Sequence, residues 1–265
     1  MLVKGAPEIA ALQHVAWISG SAKTFPNTTM DQAPWMSVVI PVLNEASTLP
    51  LLLADLRSLP FPIQMIVADG GSTDESRAIA VECGAEVVCS ARGRGRQLRA
   101  GAEHAAAPMV GFVHADARLH ADARKQLETM NQHPLPDDVA WVFTLKIESP
   151  RWPYRIVEAG ASLRTRLFGL PYGDQGLFMS RALYKKTGGF AEVPLMEDVE
   201  MMRSLRGLAR TEMCVATIAV SARRWERDGV CRRSLHNMGL LLRWYLGASP
   251  ERLAIAYDHS RRAGQ

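Results

Sequence analysis

Polar and acidic residues cluster at three points of the sequence, each directly after an apolar run. Asn44 and Glu45 follow the first run, residues 69–76 follow the second, and His114 and Asp116 follow a later one. If these runs are parallel strands, their carboxyl ends meet at one edge of the sheet, where such sheets bind ligands. Carboxylates and amides gathered there accept hydrogen bonds from polar ligands. Helix capping explains a single serine or aspartate in these segments, but not all three clusters.

The apolar pattern indicates the elements that would hold these clusters in place. Strand-like runs alternate with segments in which apolar residues recur every three to four positions, as in amphipathic helices. Repeated units of this kind predict an α/β fold with a mostly parallel central sheet flanked by helices. The predicted strands are Ser37 to Val42, Ile63 to Ala68, Glu86 to Cys89 and Met109 to Val113, and the predicted helices are Thr48 to Leu59, Thr73 to Cys83 and Gln97 to Ala106.

The second half of the chain is less regular. It predicts strands at Val139 to Ile147, Leu177 to Ser180 and Met213 to Val220, and helices from about Tyr154 to Phe168 and from Glu197 onward. Three parts follow from the whole pattern. They are an N-terminal extension at residues 1–35, an α/β domain at residues 36–225, and a basic amphipathic helical tail at residues 226–265.

Composition limits the class of protein and its partners. A chain of 265 residues with 48% hydrophobic and 22% charged residues is typical of a globular protein, and its apolar runs are far shorter than the roughly 20 residues that cross a bilayer. The four cysteines match neither a zinc site nor a disulfide framework, which favours the cytoplasm. From Ala222 onward, nine arginines and four acidic residues leave a charge of +5. This local charge argues against nucleic acid and indicates an anionic partner for the tail.

Two common nucleotide-binding classes are excluded by their missing motifs. A dehydrogenase needs Gly-x-Gly-x-x-Gly after the first strand, where this sequence reads Pro41-Val-Leu-Asn-Glu. Nucleotide kinases and ATPases need a phosphate loop that ends in Gly-Lys-Ser or Gly-Lys-Thr, which the sequence lacks.

From Met36 to Trp225 the sequence resembles family 2 glycosyltransferases of the GT-A fold. The resemblance lies in residues 39–45 (Val-Ile-Pro-Val-Leu-Asn-Glu), residues 67–74 (Val-Ala-Asp-Gly-Gly-Ser-Thr-Asp) and the pair Glu197-Asp198. The arginine-rich segment after Cys89 and the tail look like the subgroup associated with radical-SAM and selenodomain proteins. The resemblance implies inverting transfer of a sugar from a nucleoside-diphosphate sugar, with a UDP-sugar as the expected donor, to a hydroxyl acceptor.

The resemblance and the chemistry of the donor together assign the nucleotide side. Glu45 and Asp69 would accept hydrogen bonds from the nucleoside, and Asp116 would lie beside the ribose and diphosphate. Arg94 would meet the charge that grows on the leaving diphosphate, at a helix start that also favours anions. The full set of expected nucleotide- and donor-binding residues is Pro41, Asn44, Glu45, Asp69, Gly71, Ser72, Arg94, Gln97 and Asp116.

A divalent metal, Mg or Mn, is expected by resemblance, although the family's Asp-x-Asp motif appears here as His114-Ala-Asp116. Asp116 can bind either hard cation, and His114 is an acceptable ligand for Mn. Arg118, two residues further on, would repel a metal or replace part of its charge. The alternative for His114 is a hydrogen-bonded histidine at a strand end.

The catalytic base implied by the resemblance is Asp198. Inverting transfer needs a group that takes the proton of the acceptor hydroxyl, and the family places an aspartate for this task at the start of a helix. The alternative is an acidic first helical turn favoured by the helix dipole. Further residues expected on the acceptor or sugar side are Asp174, Gln175, Glu197, Arg224 and Trp225.

Several functions remain open. A nucleotidyltransferase that makes a nucleotide sugar shares the nucleotide-binding architecture but would release pyrophosphate. A nucleotide-sugar-binding protein without turnover is the alternative that is not an enzyme. The tail, with Leu240, Leu241, Trp244, Tyr245 and Leu246, either packs on the core, forms a homodimer, or holds the protein at the inner face of a membrane.

Overall fold

The computed structural model describes residues 33–262, except for the side chains of Arg224, Asp228, Cys231, Arg233 and residues 258–262. The predicted extension at residues 1–35 lies almost wholly outside the described residues. Eight strands are β1 (Met36–Val42), β2 (Ile63–Asp69), β3 (Glu86–Cys89), β4 (Met109–Phe112), β5 (Ala117–Leu119), β6 (Val139–Glu148), β7 (Leu177–Ser180) and β8 (Arg210–Ser221). The helices are α1 (Leu49–Arg57), α2 (Ser76–Glu82), α3 (Arg94–Glu103), α4 (Ala121–Asn131), α5 (Pro153–Phe168), α6 (Arg181–Lys186), α7 (Glu197–Leu205), α8 (Arg223–Asp228), α9 (Val230–Tyr245) and α10 (Pro250–Arg262).

The strands form one mixed sheet in the order β3-β2-β1-β4-β7-β6-β8-β5. Four of the seven strand pairs described are parallel, and the antiparallel strand β7 joins β4 to β6. Strand β1 has a parallel neighbour on each side. From β1 the chain first forms β2 and β3 on one side and then crosses back to form β4 on the other. Ligands of open α/β sheets bind at such a reversal of strand order. The predicted α/β fold, with helices on both sides of a central sheet, is confirmed.

Alternate strand residues enter two cores, one on each face of the sheet. Val38 and Ile40 pack with α1, α4 and α5 on one face, whereas Val39 packs with α3, α7, α9 and α10 on the other. All three of these β1 side chains are fully buried, which explains the unbroken apolar run.

The sequence predicts none of the elements β5, α4 and α6. Strand β5 and helix α6 are short, whereas Ala123, Leu127 and Met130 are buried at helical spacing on α4. The bounds of α2 and α3 also differ from the prediction. Helix α2 begins at Ser76 rather than Thr73, because the preceding residues form a loop bound to the end of β1.

The tail packs some of its apolar residues on the α/β domain. Leu240 on α9 and Leu253 on α10 are buried, and the indole Nε1 of Trp244 donates to the Glu200 carboxylate at 3.2 Å. Of the roles predicted for the tail, packing on the core therefore describes Leu240 and Trp244. No helix within residues 33–262 has both the length and the hydropathy needed to cross a bilayer.

Candidate active site

Hydrogen bonds bind the loop after β1 to the loop after β2. The backbone N–H of Asn44 donates to Ser72 Oγ at 3.0 Å, and the N–H of Thr73 donates to the Asn44 side-chain oxygen at 2.8 Å. The N–H of Ala46 donates to Asp74 Oδ2 at 3.0 Å. Asn44 has a φ of 57°, in the left-handed region that asparagine tolerates better than most residues. The two predicted clusters thus form one rigid platform at the sheet edge.

Asp69, the expected nucleoside ligand, lies at the end of β2 and is 1% exposed. Its carboxylate accepts the N–H groups of Gly71 and Ser72 at 3.0 to 3.2 Å, and Arg77 Nε lies 3.8 Å away. Gly71 has a φ of 92°, which this tight turn requires and which favours glycine. The observed contacts are those of a turn-stabilising carboxylate, and its contact with a base stays a prediction.

Arg94 begins α3, three residues before the predicted start of this helix at Gln97, and forms an ion pair with Glu197 at the start of α7. Glu197 is 2% exposed, whereas the Arg94 side chain is 37% exposed. Burial alone would lower the pKa of Arg94, but the carboxylates of Glu197 and Asp198 raise it. Burial raises the pKa of Glu197, an effect that Arg94 opposes. An Arg94 Nη1 also lies 3.4 Å from His114 Nε2, so this cation joins α7 to the segment after β4.

A cavity of about 140 Å³ lies beside this pair. Its walls bring together residues from α7, the segment after β4 and the loop before β7, which are far apart in the sequence. The polar lining residues are Arg94, His114, Asp116, Asp174, Asp198 and Asn237. The sequence predicts all of these except Asn237.

Asp198 is half-buried on the cavity wall, where its Oδ2 accepts the N–H of Gly173 at 3.1 Å. Asp174 lies beside it, and its Oδ1 is buried without a hydrogen-bond partner among the described residues. Burial, reinforced by the charges of Asp198 and Asp116, raises the pKa of Asp174 against the opposing effect of Arg164. Met196, directly before the Glu197-Asp198 pair, has a φ of 70°, a strained conformation of the kind found at functional sites.

A second cavity of about 140 Å³ adjoins the first on the side of the β1 loop. Pro41, Glu45 and Gln97 line it, and Arg94 and His114 belong to both cavities. Of the predicted nucleotide residues, Pro41, Glu45, Arg94, Gln97 and Asp116 therefore line one or both of the adjoining cavities, and the predicted base Asp198 lines the first. Asn44, Asp69, Gly71 and Ser72 line neither cavity.

Two glutamines predicted to face ligands are used inside the fold. Gln97 donates both hydrogens of Nε2 to the carbonyls of Val42 and Ala68, at 2.7 and 2.8 Å, and so fixes the ends of β1 and β2. Gln175 is fully buried, and its amide binds the carbonyl of Phe143 and the hydroxyl of Thr165.

The suggestion that Arg118 could replace a metal's charge is wrong for this structure. Its Nε and Nη2 donate to the carboxylate of Asp55 on α1 at 2.7 and 3.1 Å, and Arg118 lines neither cavity. The pair forms because α1 packs against β5 and leaves Asp55 6% exposed, so its charge needs a partner. The cation that faces both cavities is Arg94.

The C-terminal helices contribute residues that the sequence did not predict for the site. Asn237 and Leu240 on α9 and Tyr257 on α10 line the first cavity beside Trp225, which is 8% exposed. Nothing in their local sequence marks them, because they reach the cavity only through packing of the tail. The side chain of Arg224, also predicted here, lies outside the described part of the chain.

The described side chains alone do not form a complete set of metal ligands. Within the described residues, no group of three His, Cys, Asp or Glu side chains is arranged to hold a metal ion. Asp116, 7% exposed, and His114 both line the first cavity, so they offer a carboxylate and an imidazole to a shared ligand. This set fits a cation that takes its other ligands from substrate phosphates and water, as Mg²⁺ commonly does.

Replacing Asp74 with Asn should loosen the platform in a pH-dependent way. Burial acts to raise the pKa of Asp74, but hydrogen bonds from Ser76 and Ala46 outweigh it and hold the pKa below its ordinary value of 3.8. The stabilisation is therefore present above about pH 3.8 and is lost as the pH falls through the lower pKa of the folded state. We expect Asp74→Asn to melt earlier than wild type at pH 7, with a difference that shrinks below pH 3.8 in thermal melts. A constant difference across this range would contradict the charge-based explanation.

Curated relatives match part of the chain. A 37% identical segment of 98 residues is shared with the glycosyltransferase AglJ of Haloferax volcanii, covering 36% of this chain and 32% of the relative. An uncharacterized glycosyltransferase of Mycobacterium tuberculosis is also 37% identical, over 87 residues, which are 32% of this chain and 38% of the relative. The match thus spans little more than a third of the curated relatives.

Solved structures share the fold at low sequence identity. Glucosyl-3-phosphoglycerate synthase from M. tuberculosis has a TM-score of 0.52 and 18% identity, covering 71% of this chain and 70% of that one. TarS from S. aureus has a TM-score of 0.54 and 17% identity, with coverage of 73% and 62%. The fold is thus GT-A. The glycosyl transferase family 2 model matches residues 37–187, which include β1 to β7, both loops of the platform and Asp174, and the chain therefore belongs to glycosyl transferase family 2.

Proposed function

We propose that this protein transfers a sugar from a nucleoside-diphosphate sugar to a hydroxyl acceptor, with inversion at the anomeric carbon. The observation that carries the proposal is the position of Arg94. It lies between the second cavity, lined by Pro41 and Glu45 on the nucleotide side, and the first cavity, which Asp198 lines. A sugar diphosphate that lies across Arg94 would direct its anomeric carbon toward the first cavity.

Ligands of the structural neighbours support this donor class. The glucosyl-3-phosphoglycerate synthase is described with UDP and Mn²⁺, and TarS is described with UDP-GlcNAc. A mannosyltransferase from Pyrobaculum calidifontis, with a TM-score of 0.54 and 16% identity, is described with GDP-Man and Mn²⁺. A UDP-sugar is the donor we propose first, and a GDP-sugar is the nearest alternative.

Each side chain has a role in this proposal. Asp198 takes the proton of the acceptor hydroxyl while its other oxygen stays bound to the N–H of Gly173. Arg94 stabilises the charge that develops on the leaving diphosphate. Asp174, whose buried Oδ1 has no hydrogen-bond partner among the described residues, can bind a hydroxyl of the sugar or the acceptor. Trp225 and Tyr257 supply apolar and aromatic surface for a sugar ring.

Asp116 and His114 are the residues we propose to hold a divalent ion, Mg²⁺ or Mn²⁺, together with the donor phosphates. When bound, the ion would neutralise phosphate charge. Assignment to the radical-SAM-associated subgroup and action in the cytoplasm also remain proposals. Cytoplasmic action is consistent with Cys83, Cys89 and Cys214, which form no disulfide in the described part of the chain.

A donor screen tests this function. UDP-, GDP-, ADP- and dTDP-sugars are added to the protein with Mn²⁺ or with EDTA, and the melting temperature is measured. A ligand at about 100 times its Kd should stabilise the native state by about 2.7 kcal/mol. For a chain of this size, we expect a rise of about 5 to 10 °C with one nucleobase. No shift with any nucleotide sugar would contradict the proposal.

The Asp116→Ala variant tests the metal part of the proposal in the same assay. It should abolish the difference between Mn²⁺ and EDTA, whereas the exposed control Asp137→Ala should keep it. Unchanged Mn²⁺ dependence in Asp116→Ala would reject this carboxylate as the metal ligand. The proposal that the protein binds a nucleotide sugar would still stand. Release of a nucleoside diphosphate rather than pyrophosphate separates transfer from nucleotidyl chemistry.

A further inference from the structure

Helix α5 has two apolar faces, and one of them is exposed. Its inner face holds Tyr154, Ala161 and Thr165, which are all buried. On the opposite face, at the helical spacing that aligns side chains in one stripe, lie Trp152 at its N-terminal end, Ile156, Leu163 and Leu167. They are 71%, 62%, 58% and 65% exposed, respectively. A surface helix of a globular protein normally carries polar residues on such a face.

Helix α9, which contacts α5, repeats this arrangement. Its inner side includes the buried Leu240 and lines the first cavity, while Leu235, Met238, Leu242 and Leu246 at its C-terminal end are 60% to 78% exposed. The exposed apolar stripes of α5 and α9 are called the α5–α9 face below. Its residues are Trp152, Ile156, Leu163, Leu167, Leu235, Met238, Leu242 and Leu246. An apolar surface spread over two adjoining helices indicates an interaction site rather than scattered surface residues.

The charges on these helices identify the partner. Helix α5 contains three arginines and one acidic residue, Glu158, which is itself paired with Arg155 at 3.0 Å. Helix α9 contains three arginines and no acidic residue. The exposed arginines Arg166, Arg232 and Arg243 would repel the same face of a second copy in a twofold dimer. It complements an anionic surface, and arginines beside exposed apolar residues are the pattern of helices that lie in a bilayer interface.

We propose that the α5–α9 face docks on an anionic lipid surface. The apolar stripes would enter the boundary between head groups and acyl chains, and the exposed arginines Arg166 and Arg243 would contact lipid phosphates. The sequence analysis offers membrane binding for the tail alone, through a set of residues that includes Leu240. The α5–α9 face differs from that set, because Leu240 faces inward and α5 supplies half of the exposed surface. It does not depend on the catalytic roles proposed above.

The proposal also orients the site. Asn237 and Leu240 on the inner side of α9 line the first cavity. The outer side of the same helix would lie on the membrane. An acceptor hydroxyl carried by a membrane lipid would then be close to the cavity that holds Asp198.

Cosedimentation with vesicles tests the docking. The full chain is mixed with vesicles of phosphatidylglycerol and phosphatidylcholine, or of phosphatidylcholine alone, at low and at high salt. We expect binding to the anionic vesicles at low salt and weaker binding at high salt. Leu163→Glu and Leu242→Glu should each weaken binding by about tenfold or more, since each replaces a membrane-inserting leucine with an anion. Val81→Glu is the matched control, because Val81 is 64% exposed on α2, a helix beside β3 at the far edge of the sheet.

The possible outcomes separate lipid from other occupants. Absence of binding to anionic vesicles at low salt overturns the proposal. Equal binding by Leu163→Glu, Leu242→Glu and the control overturns the assigned face. A dimer in sedimentation velocity that Leu163→Glu dissociates would show that a second copy covers the face instead. The nucleotide-sugar melting shift of Leu163→Glu should match wild type, so failure of docking is distinguishable from failure of the proposed function.

Discussion

Asp198→Asn should lower the rate of sugar transfer by about 10² to 10⁴ while leaving donor affinity within about twofold of wild type. The Asp198 oxygens accept the N–H groups of Gly173 and Val199, and Asn preserves the side-chain shape and one acceptor oxygen, so one of these two contacts can persist. The capacity to take the acceptor proton is removed. Single-turnover transfer rates and calorimetry of donor binding measure the two effects separately.

The control for this prediction is Asp137→Asn, which makes the same charge change on an exposed loop. It should retain wild-type turnover. A loss below tenfold in Asp198→Asn would mean that another group takes the proton. The stereochemistry of the product gives independent evidence, because a base opposite the leaving nucleotide converts an α-linked donor into a β-linked product. Retention would overturn both the mechanism and the role of Asp198.

Arg94→Met should destabilise the protein and abolish donor binding. The substitution leaves the carboxylate of Glu197, which is 2% exposed, without its cation. Breaking a buried pair in this way costs about 3 to 5 kcal/mol, and partial exposure of Arg94 places our expectation near 3 kcal/mol. At about 2 to 4 °C for each kcal/mol in a protein of this size, the melting temperature should fall by about 6 to 12 °C.

A double variant separates the two roles of Arg94. Arg94→Met with Glu197→Met removes both charges, and such replacement of a buried pair by apolar side chains is often close to neutral. We therefore expect melting near the wild-type temperature but no melting shift with a nucleotide sugar. Donor binding retained in the stable double variant would show that Arg94 acts only as a structural partner of Glu197.

The elements that the sequence predicts well are those with local signals. Strands β1 and β3 and helix α5 agree with prediction to within one residue at each end, because their apolar periods and flanking breaks lie within the segments. The first turn predicted for α2 is not observed. Residues 73–75 form a loop that is held by hydrogen bonds to the loop after β1 and do not continue the helix. The local sequence pattern does not predict hydrogen bonds between segments that are far apart in the chain.

The candidate site shows the same difference between what local patterns predict and what long-range packing decides. Motif residues such as Asp116 and Asp198, which the sequence singles out as site candidates, both line the first cavity. Gln97 and Gln175 carry equally polar side chains, but the structure uses both to bind backbone carbonyls inside the fold. Residue type alone does not distinguish a ligand contact from an internal hydrogen bond. Tyr257 could not be predicted, because its place on the cavity depends on how α9 and α10 pack.

The site draws residues from the β1 loop to α10, and this has a consequence for how the protein folds. Pro41 and Tyr257 lie on adjoining cavities although more than 200 residues separate them along the chain. Contacts between distant segments form slowly, because the loop that joins them must close first. During refolding, recovery of ligand binding should therefore follow recovery of helical signal. Binding activity then reports completion of the last long-range packing step and not the formation of the sheet alone.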